Sequence, residues 1–235
     1  MENTLKLKRS KAIKYISDAV IGNGFNNPLI AFSGGPDSCF LLACTSLIGQ
    51  RKSTPKNFSV HACHVNHNLR STAKVDEKFS IDFCKYLNIK LDIRNIHLPS
   101  LSNIYHEARL LRYGALVSSA KALGCDCILT AHHGDDLVET IIMQATRGVS
   151  KDKMGIKVIS SWEGIPVIRP LFAFTKDEIE KTLAIHKIPF VVDASNISDR
   201  IRSKIRSNVL PILKSFNPNV HKTMYRIFVD QLPTR

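Results

Sequence analysis

The first stretch with the residue types of a chemical site is SGGPDS, Ser33 to Ser38, which follows the apolar run LIAF and precedes the helix-like SCFLLACTSLIG. Its adjacent glycines, Gly34 and Gly35, let the backbone come close to an anion, and the N-terminus of the following helix offers unpaired N–H groups. Pro36 suits a first helical turn, where no donor is lost. Together with the hydroxyls of Ser33 and Ser38, these features predict a phosphate-binding loop.

Asp37 is the unexpected member of this loop, because a carboxylate repels phosphate unless Mg²⁺ lies between them. The loop has neither the Gly-Lys-Ser/Thr of a Walker loop nor the GxGxxG of a dinucleotide site. The loop therefore differs from both, and a Mg²⁺ between Asp37 and the phosphate would account for the carboxylate. The structural alternative is a simple glycine turn with an acidic cap.

The second stretch is TAHHGDDLVETII, Thr130 to Ile142, which also follows a predicted strand. On a helix, Asp136, Glu139 and Thr140 share one face. The titratable members of the stretch are His132, His133, Asp135, Asp136 and Glu139. Such a cluster can orient Mg²⁺ or hold an ammonium group, whereas its spacing disfavours zinc. An acidic first turn that complements the helix dipole is the alternative, but it does not account for the histidine pair.

Three further motifs are weaker when taken singly. HVNHNLRS begins at His64 and follows the second predicted strand, where it could line a nucleotide pocket. ARLLRY places Arg112 on a helix three residues after Arg109, and RIRSKIRSNVLPIL carries Arg202 and Arg206. Arginines at this density suit phosphate contacts. Solvated surface positions are the structural alternative for each motif.

These motifs lie between segments that alternate in type. The predicted strands are residues 29–32, 59–65, 90–96, 127–131 and 166–171, and helical patterns stand between the first four of them. This rhythm predicts an α/β fold with a doubly wound, mostly parallel sheet and helices on both faces. Ligands of such sheets bind at the carboxyl ends of the strands, where the motifs are found.

Outside these motifs, the sequence predicts surface loops and a further helical region. Residues 69–74 and 147–164 are expected to be surface flaps. Thr175 and Glu178 form a predicted capping box, and a basic helix is expected to end near Pro211 or Phe216. Residues 1–215 are expected to form one catalytic domain, and residues 216–235 a short C-terminal tail or helix.

Composition limits the class of protein. The chain has 235 residues, 44% of them hydrophobic, which suits an ordinary globular fold. Its 33 lysines and arginines against 20 acids give a net charge of +13, which favours a polyanionic partner such as nucleic acid. The six cysteines lie mostly in apolar runs without metal-binding spacing, and no apolar run reaches the length of a membrane span. A cytoplasmic location is expected, with no membrane partner.

In their order along the chain, the motifs resemble those of the N-type ATP pyrophosphatase (PP-loop) superfamily and, within it, the tRNA(Ile)-lysidine synthetases. AFSGGPDS resembles the ATP loop of that family, CHVNHNLR its second-strand motif, ARLLRY its central helix motif, and TAHHGDDLVET its fourth-strand motif. RPL, DASN and RSKIRSNVLPIL continue in the same order, so the resemblance runs from about Leu29 to Leu213.

The resemblance implies an enzyme that uses ATP to adenylate the C2 carbonyl of the wobble cytidine in a tRNA(Ile) with a CAU anticodon, releasing pyrophosphate. Free L-lysine then displaces AMP to form lysidine. It implies ATP and Mg²⁺ as cofactors, with residues 33–38 and the further candidates His64 and Arg112 at the nucleotide and Asp37 on Mg²⁺. His133 and Arg206 are the implied catalytic residues beside Asp37.

The implied substrate contacts use four residues. Asp136 and Glu139 would meet the cationic lysine, and Arg202 and Arg206 would contact the tRNA or the adenylate. A homodimer is compatible with the sequence. The chain also departs from the family pattern: Tyr105 stands where a glutamate is usual, Ser203 follows Arg202 where an asparagine is usual, and the chain ends at Arg235, which suggests a short form without the C-terminal domains.

Two other functions stay open at this point. A PP-loop tRNA thiolation enzyme also activates a base carbonyl with ATP, but it generally needs paired cysteines, which the spacing here does not offer. A non-catalytic RNA-binding domain with the same fold is the second alternative, suggested by Tyr105 and the early chain end.

Overall fold

A computed structural model describes residues 11–66, 73–97, 104–192 and 200–229, except for the side chains of residues 73, 104–106 and 200. Within these ranges, six strands form one sheet in the order β3-β2-β1-β4-β6-β5. The strands are β1 (Pro28–Ala31), β2 (His61–Asn66), β3 (Lys90–Asn95), β4 (Cys127–Leu129), β5 (Ile159–Trp162) and β6 (Ile165–Ile168). All neighbours are parallel except β5, which pairs antiparallel with β6 at one edge. The predicted doubly wound, mostly parallel sheet is confirmed.

Helices follow most strands. They are α1 (Lys11–Val20), α2 (Pro36–Gly49), α3 (Ala73–Tyr86), α4 (Ile104–Leu123), α5 (Gly134–Thr146), α6 (Lys176–His186), α7 (Arg200–Lys204), α8 (Leu210–Phe216) and α9 (Val220–Phe228). A π-helical turn, Ile205–Val209, joins α7 to α8, and short 3₁₀ turns lie at Ile21–Asn23 and Lys151–Lys153. None of the helices in the described ranges has the length and hydropathy needed to cross a bilayer.

The core lies on both faces of the sheet because successive side chains of each strand point to opposite sides. In β1, Leu29 packs with Tyr113 of α4, whereas Ile30 packs in the larger cluster formed with α1, α2, α3 and α6. Burial on both faces explains why the strands read as continuous apolar runs rather than alternating ones. It also fixes the register that places the ends of β1 and β4 side by side.

Helix α2 is buried along nearly its whole length, from Ser38 to Ile48. A helix that is apolar all round needs cover on its outer side as well. Helix α1 supplies that cover, with Ile13, Ile16 and Val20 fully buried against the same cluster. The loop before α2 is therefore held by a rigid, enclosed helix.

The predicted flap at residues 147–164 is wrong in part, because it contains β5. Ser160 and Ser161 interrupt the apolar pattern of this edge strand. The turn to β6 has positive φ at both Glu163 and Gly164, which brings the two strands together as a hairpin. The predicted flap at residues 69–74 lies mostly outside the described residues, and the part within them, Ala73 and Lys74, begins α3.

The basic segment is helical from residue 200 to 216, so of its two predicted ends, Pro211 and Phe216, the structure has the second. Pro211 has no N–H to donate and would crowd the carbonyl one turn earlier in a regular helix. The π-helical turn before it, in which the Leu210 N–H bonds to the Ile205 carbonyl, widens the helix at this point. After it, α9 packs on α5 through Val220, which contacts a small cluster with Val138.

Candidate active site

The site is built where the strand order reverses. Strand β1 lies between β2 and β4, and the chain leaves β1 and β4 into the loops that start α2 and α5. Helix α6 begins beside them, because the Gly134 N–H donates to the Phe174 carbonyl at 2.7 Å. The positive ends of α2, α5 and α6 therefore share one edge of the sheet, which favours an anionic ligand.

The SGGPDS loop has the geometry of an anion-binding turn. Gly34 has φ of +82°, and a Cβ there would lie 3.3 Å from the ring of Phe79. The Ser38 hydroxyl donates to the Gly35 carbonyl at 2.9 Å and lies 3.2 Å from the Ser33 hydroxyl. Pro36 is in the first turn of α2, as predicted. Glycine at 34 is thus required by backbone conformation, while the serines brace the loop.

Asp37 has an ion-pair partner that sequence reasoning missed. The Nζ of Lys176 lies 2.9 Å and 2.8 Å from the two carboxylate oxygens of Asp37. Both side chains are partly exposed, at 34% for Lys176 and 25% for Asp37. The only sequence signal at Lys176 was its place directly after the capping residue Thr175, which says nothing of a contact 139 residues away. The capping box itself is confirmed.

His133 lies between this loop and the acidic turn of α5. Its Nε2 is 4.0 Å from Oδ1 of Asp37 and 3.5 Å from Oδ2 of Asp136, and its side chain is buried. Its backbone N–H donates to Asp136 at 3.0 Å. Burial by itself would raise the pKa of Asp136, but the neighbouring histidines, this N–H and Arg206 outweigh it, so the pKa is lowered. Asp136 is therefore held as a carboxylate.

Glu139 is fully buried and forms a two-pronged pair with Arg206. Its carboxylate accepts from Nε of Arg206 at 2.7 Å and from Nη2 at 3.0 Å. Nη2 also lies 3.3 Å from Asp136, and Arg202 donates to Thr140 at 2.9 Å. Burial raises the pKa of Glu139, although the hydrogen bond from Arg206 opposes the rise. The predicted substrate-binding acids and the predicted basic residues thus contact each other.

Asp135 connects three elements instead of facing a ligand. Its side chain is buried and accepts from the backbone N–H of Lys176 at 3.0 Å, while Nζ of Lys214 lies 2.9 Å from the same carboxylate. These contacts join the starts of α5 and α6 to α8. Asp135 is therefore a positioning residue for Lys176.

The other predicted binding residues have different surroundings. His64 is buried, and its Nδ1 lies 3.1 Å from the Phe32 carbonyl and 3.2 Å from the Ser80 hydroxyl, which connects β2 to β1 and α3. Burial lowers the pKa of His64. Arg112 is exposed on α4. Burial lowers the pKa of His132, and the positive charges of nearby arginines, Arg112 among them, lower it further. Nucleotide contacts by His64 and Arg112 remain predictions.

Several residues singled out in the sequence fall outside the described ranges. They are Asn68 and Arg70 of the HVNHNLRS motif, Asp193, Ser195 and Asn196 of the DASN motif, and the side chain of Tyr105.

The fit of Mg²⁺ to this site depends on Asp37. Magnesium in nucleotide sites is held by one or two carboxylates together with substrate phosphates and water. Asp37 supplies one partly exposed carboxylate at the start of α2, beside the predicted phosphate loop, so the residues fit. Among the described residues, no group of three or more histidines, cysteines and acids is arranged to hold a metal by itself.

Comparison with known proteins agrees with this architecture. The family profile described as "PP-loop domain" matches residues 5–213. The tRNA(Ile)-lysidine synthase of Thermotoga maritima is 32% identical over 206 residues, which is 85% of this chain and 48% of that protein. The corresponding figures for the tRNA(Ile)-lysidine synthase of Petrotoga mobilis are 31% over 223 residues, 92% of this chain and 70% of that protein. The chain spans about half the length of the first curated relatives it matches.

Solved structures show the same fold at low sequence identity. The U34-tRNA thiolase of Methanococcus maripaludis, with its [4Fe-4S] cluster, superposes with a TM-score of 0.74 at 17% identity, covering 92% of this chain and 76% of that one. The NH3-dependent NAD synthetase of Campylobacter jejuni has a TM-score of 0.52 at 12% identity, covering 96% and 93%.

Proposed function

Because the chain belongs to the PP-loop family, and within it to the tRNA(Ile)-lysidine synthases, we propose that it ligates L-lysine to C2 of the wobble cytidine in tRNA(Ile) with a CAU anticodon. ATP supplies the driving force through an adenylated tRNA, with release of pyrophosphate and then AMP. The observation that carries the proposal is the meeting of Asp37, His133 and Asp136 at the strand-order reversal.

The nucleotide end of the reaction uses the loop after β1. The free N–H groups at the start of α2, the backbone approach allowed by Gly34 and the hydroxyls of Ser33 and Ser38 would hold the phosphates. Asp37 would hold Mg²⁺, which when bound neutralises the charge of the polyphosphate. This arrangement suits adenylation, because the loop would hold the β- and γ-phosphates that leave together as pyrophosphate. It does not require transfer of the γ-phosphoryl group.

The reacting carbonyl would lie near His133. Its buried imidazole stands between Asp37 and Asp136, where a hydrogen bond to the charge that develops at the adenylated carbonyl is strongest because water is excluded. The neighbouring histidines, the His133 N–H and Arg206 lower the pKa of Asp136, so its carboxyl group is ionised at neutral pH.

Lysine recognition would use the acidic face of α5. The carboxylates of Asp136 and Glu139 are the anionic groups on this side of His133, and they suit the ammonium of L-lysine. Arg206 now neutralises both, so a cationic substrate has to take over at least one of its two acceptors.

The tRNA partner is supported by charge. A net charge of +13 and the basic run that carries Arg202, Lys204 and Arg206 provide the attraction to phosphates that nucleic-acid binding needs. Binding through such contacts weakens as salt rises. A cytoplasmic location and a homodimer remain predictions.

The test is an assay with α-labelled ATP, L-lysine and a tRNA that carries the CAU anticodon. We expect AMP to form only when all three are present, and lysine to be incorporated into the tRNA. Asp37→Asn should abolish AMP formation and leave tRNA affinity within a few fold. Absence of AMP formation by folded wild-type protein that binds the tRNA would instead favour the non-catalytic RNA-binding alternative.

The thiolation alternative lacks support in the cysteines. All six lie in the described ranges, and all are free and buried. Burial raises the pKa of each, to about 11 for Cys63 and about 12 for Cys84 and Cys125. Sulfur transfer needs a thiolate or a thiolate-bound cluster, which these surroundings disfavour.

A further inference from the structure

The phosphate loop has no cation within its own sequence, but the fold brings one to it. The Nζ of Lys176, the first residue of α6, contacts both carboxylate oxygens of Asp37 at 2.9 Å and 2.8 Å. A Walker loop carries its lysine one position before its Ser or Thr. Here the corresponding charge reaches the start of α2 from a different helix.

The backbone of Lys176 is fixed in place, while its paired ammonium lies at a partly exposed position. The Thr175–Glu178 capping box fixes the start of α6, and the Lys176 N–H donates to Asp135 at 3.0 Å. The ammonium itself is at a partly exposed position, and its second acidic neighbour, Glu180, is 3.6 Å away and half exposed. A flexible four-carbon stem on a fixed backbone can move its charge without any change of fold.

We propose that Lys176 is a polyphosphate-binding residue and that its pair with Asp37 is the nucleotide-free arrangement of the site. The inference rests on the proposed function, because it assumes that Asp37 receives Mg²⁺ with the nucleotide. Once Asp37 is occupied in this way, the ammonium loses its partner. The β- and γ-phosphate oxygens of ATP, placed between the starts of α2 and α6, become its acceptors.

No covalent step is involved, so the consequence is one of affinity. A charged hydrogen bond to the β- or γ-phosphate exists in the ATP complex and is missing in the AMP complex. Removing Lys176 should therefore weaken ATP binding and leave AMP binding nearly unchanged. A lysine that only stabilised the fold or only masked Asp37 would not separate the two nucleotides in this way.

The experiment is calorimetric titration of the full chain with α,β-methylene ATP and with AMP, in magnesium chloride. Lys176→Gln should weaken binding of the ATP analogue by about tenfold or more, as expected for a charged hydrogen bond, and change AMP binding less than about threefold. Lys176→Arg should retain most of the affinity. Lys181→Gln is the matched control on α6, since Lys181 is exposed and pairs with Asp177 at 2.7 Å.

The outcomes separate the two proposals. Wild-type affinity for the ATP analogue in folded Lys176→Gln overturns the role of Lys176 while ATP use stands. A wild-type chain that does not bind the analogue overturns ATP use itself. Equal losses for the analogue and AMP also overturn the inference, because they point to a general disturbance. Circular dichroism checks folding, and Lys176→Met, which keeps the stem, provides a second variant for the same titration.

Discussion

Substituting Arg206 by methionine should destabilise the fold and make its stability more sensitive to pH. The Glu139 side chain is 0% exposed, and Arg206 gives it two hydrogen bonds, at 2.7 Å and 3.0 Å. After the substitution, the nearest cation among the described residues is Nε of Arg202, 3.6 Å away. The buried carboxylate would lose both of its hydrogen bonds from Arg206 and keep only this longer ion pair.

The expected magnitude follows from these contacts. Removing one partner of a buried ion pair costs about 3–5 kcal/mol of unfolding free energy. Arg206 itself is 48% exposed, so water screens the pair and can replace part of the guanidinium. We therefore expect Arg206→Met to lose about 2–3 kcal/mol at pH 7.5.

The pH dependence has a definite sign. Burial already raises the pKa of Glu139, and loss of Arg206 removes the main opposing influence. Above pH 4.5, the folded variant then binds a proton that the unfolded chain has released, so stability falls as pH rises through the raised pKa. The destabilisation should therefore be at least about 1 kcal/mol smaller at pH 5 than at pH 7.5.

Urea unfolding followed by circular dichroism at both pH values measures these differences. The double variant Glu139→Gln/Arg206→Met should recover at least about 1 kcal/mol at pH 7.5, because no charge is then buried. Lys204→Met, an exposed position on the same helical run, should stay within about 0.5 kcal/mol of wild type. If Arg206→Met and Lys204→Met unfolded at the same urea concentration at both pH values, the reasoning about the buried pair would be refuted.

Three other predictions concern packing, the buried thiols and the titration of a buried histidine. Gly134→Ala should lower the free energy of unfolding, measured by thermal unfolding, by about 1–3 kcal/mol, because a Cβ there would lie 2.9 Å from His221. Gly114→Ala should instead stabilise the protein slightly, because the space around Gly114 on α4 is open. Joint replacement of Cys125 and Cys127 by serine should leave lysine-dependent AMP formation intact, and its loss in folded protein would favour thiolation. Burial lowers the pKa of His221, so the free energy of unfolding should fall as pH decreases below about 6.5, by up to about 1.4 kcal/mol per pH unit for this group. His221→Gln should reduce this pH dependence, as measured by thermal unfolding at several pH values.

The sheet could be predicted because its strands are buried on both faces. Continuous apolar runs such as the one at Cys127 alternate with helical patterns, and that rhythm allows few topologies. Strand β5 escaped prediction because Ile159–Trp162 has serines at its centre and takes its partner across a hairpin at the sheet edge. Edge strands bury less surface, so their sequences carry a weaker pattern.

The site could be predicted only where its residues are close in sequence to a strand end. Asp37 and His133 each follow a strand, and adjacency of β1 and β4 brings them to 4.0 Å. Lys176 gives no such signal, since its contact requires β6 to lie beside β4 and α6 to start against α5. Local patterns specify which loops face a ligand, while charge partners depend on tertiary neighbours.

The charge partners bear on how the site discriminates between its proposed substrates. Asp37 is paired with Lys176, and Glu139 with Arg206, so an incoming charge has to exchange with one that the chain already supplies. This exchange costs little free energy for a ligand that carries both a positive and a negative charge, because each displaced side chain then gains a new partner. A metal–polyphosphate complex is such a ligand, with its metal ion at Asp37 and its phosphates at Lys176. A lone cation offered to Glu139 leaves the guanidinium of Arg206 in need of an anion. Polyphosphate, adenylate or tRNA phosphate would meet that need, so lysine should bind more tightly once nucleotide and tRNA are in place than before.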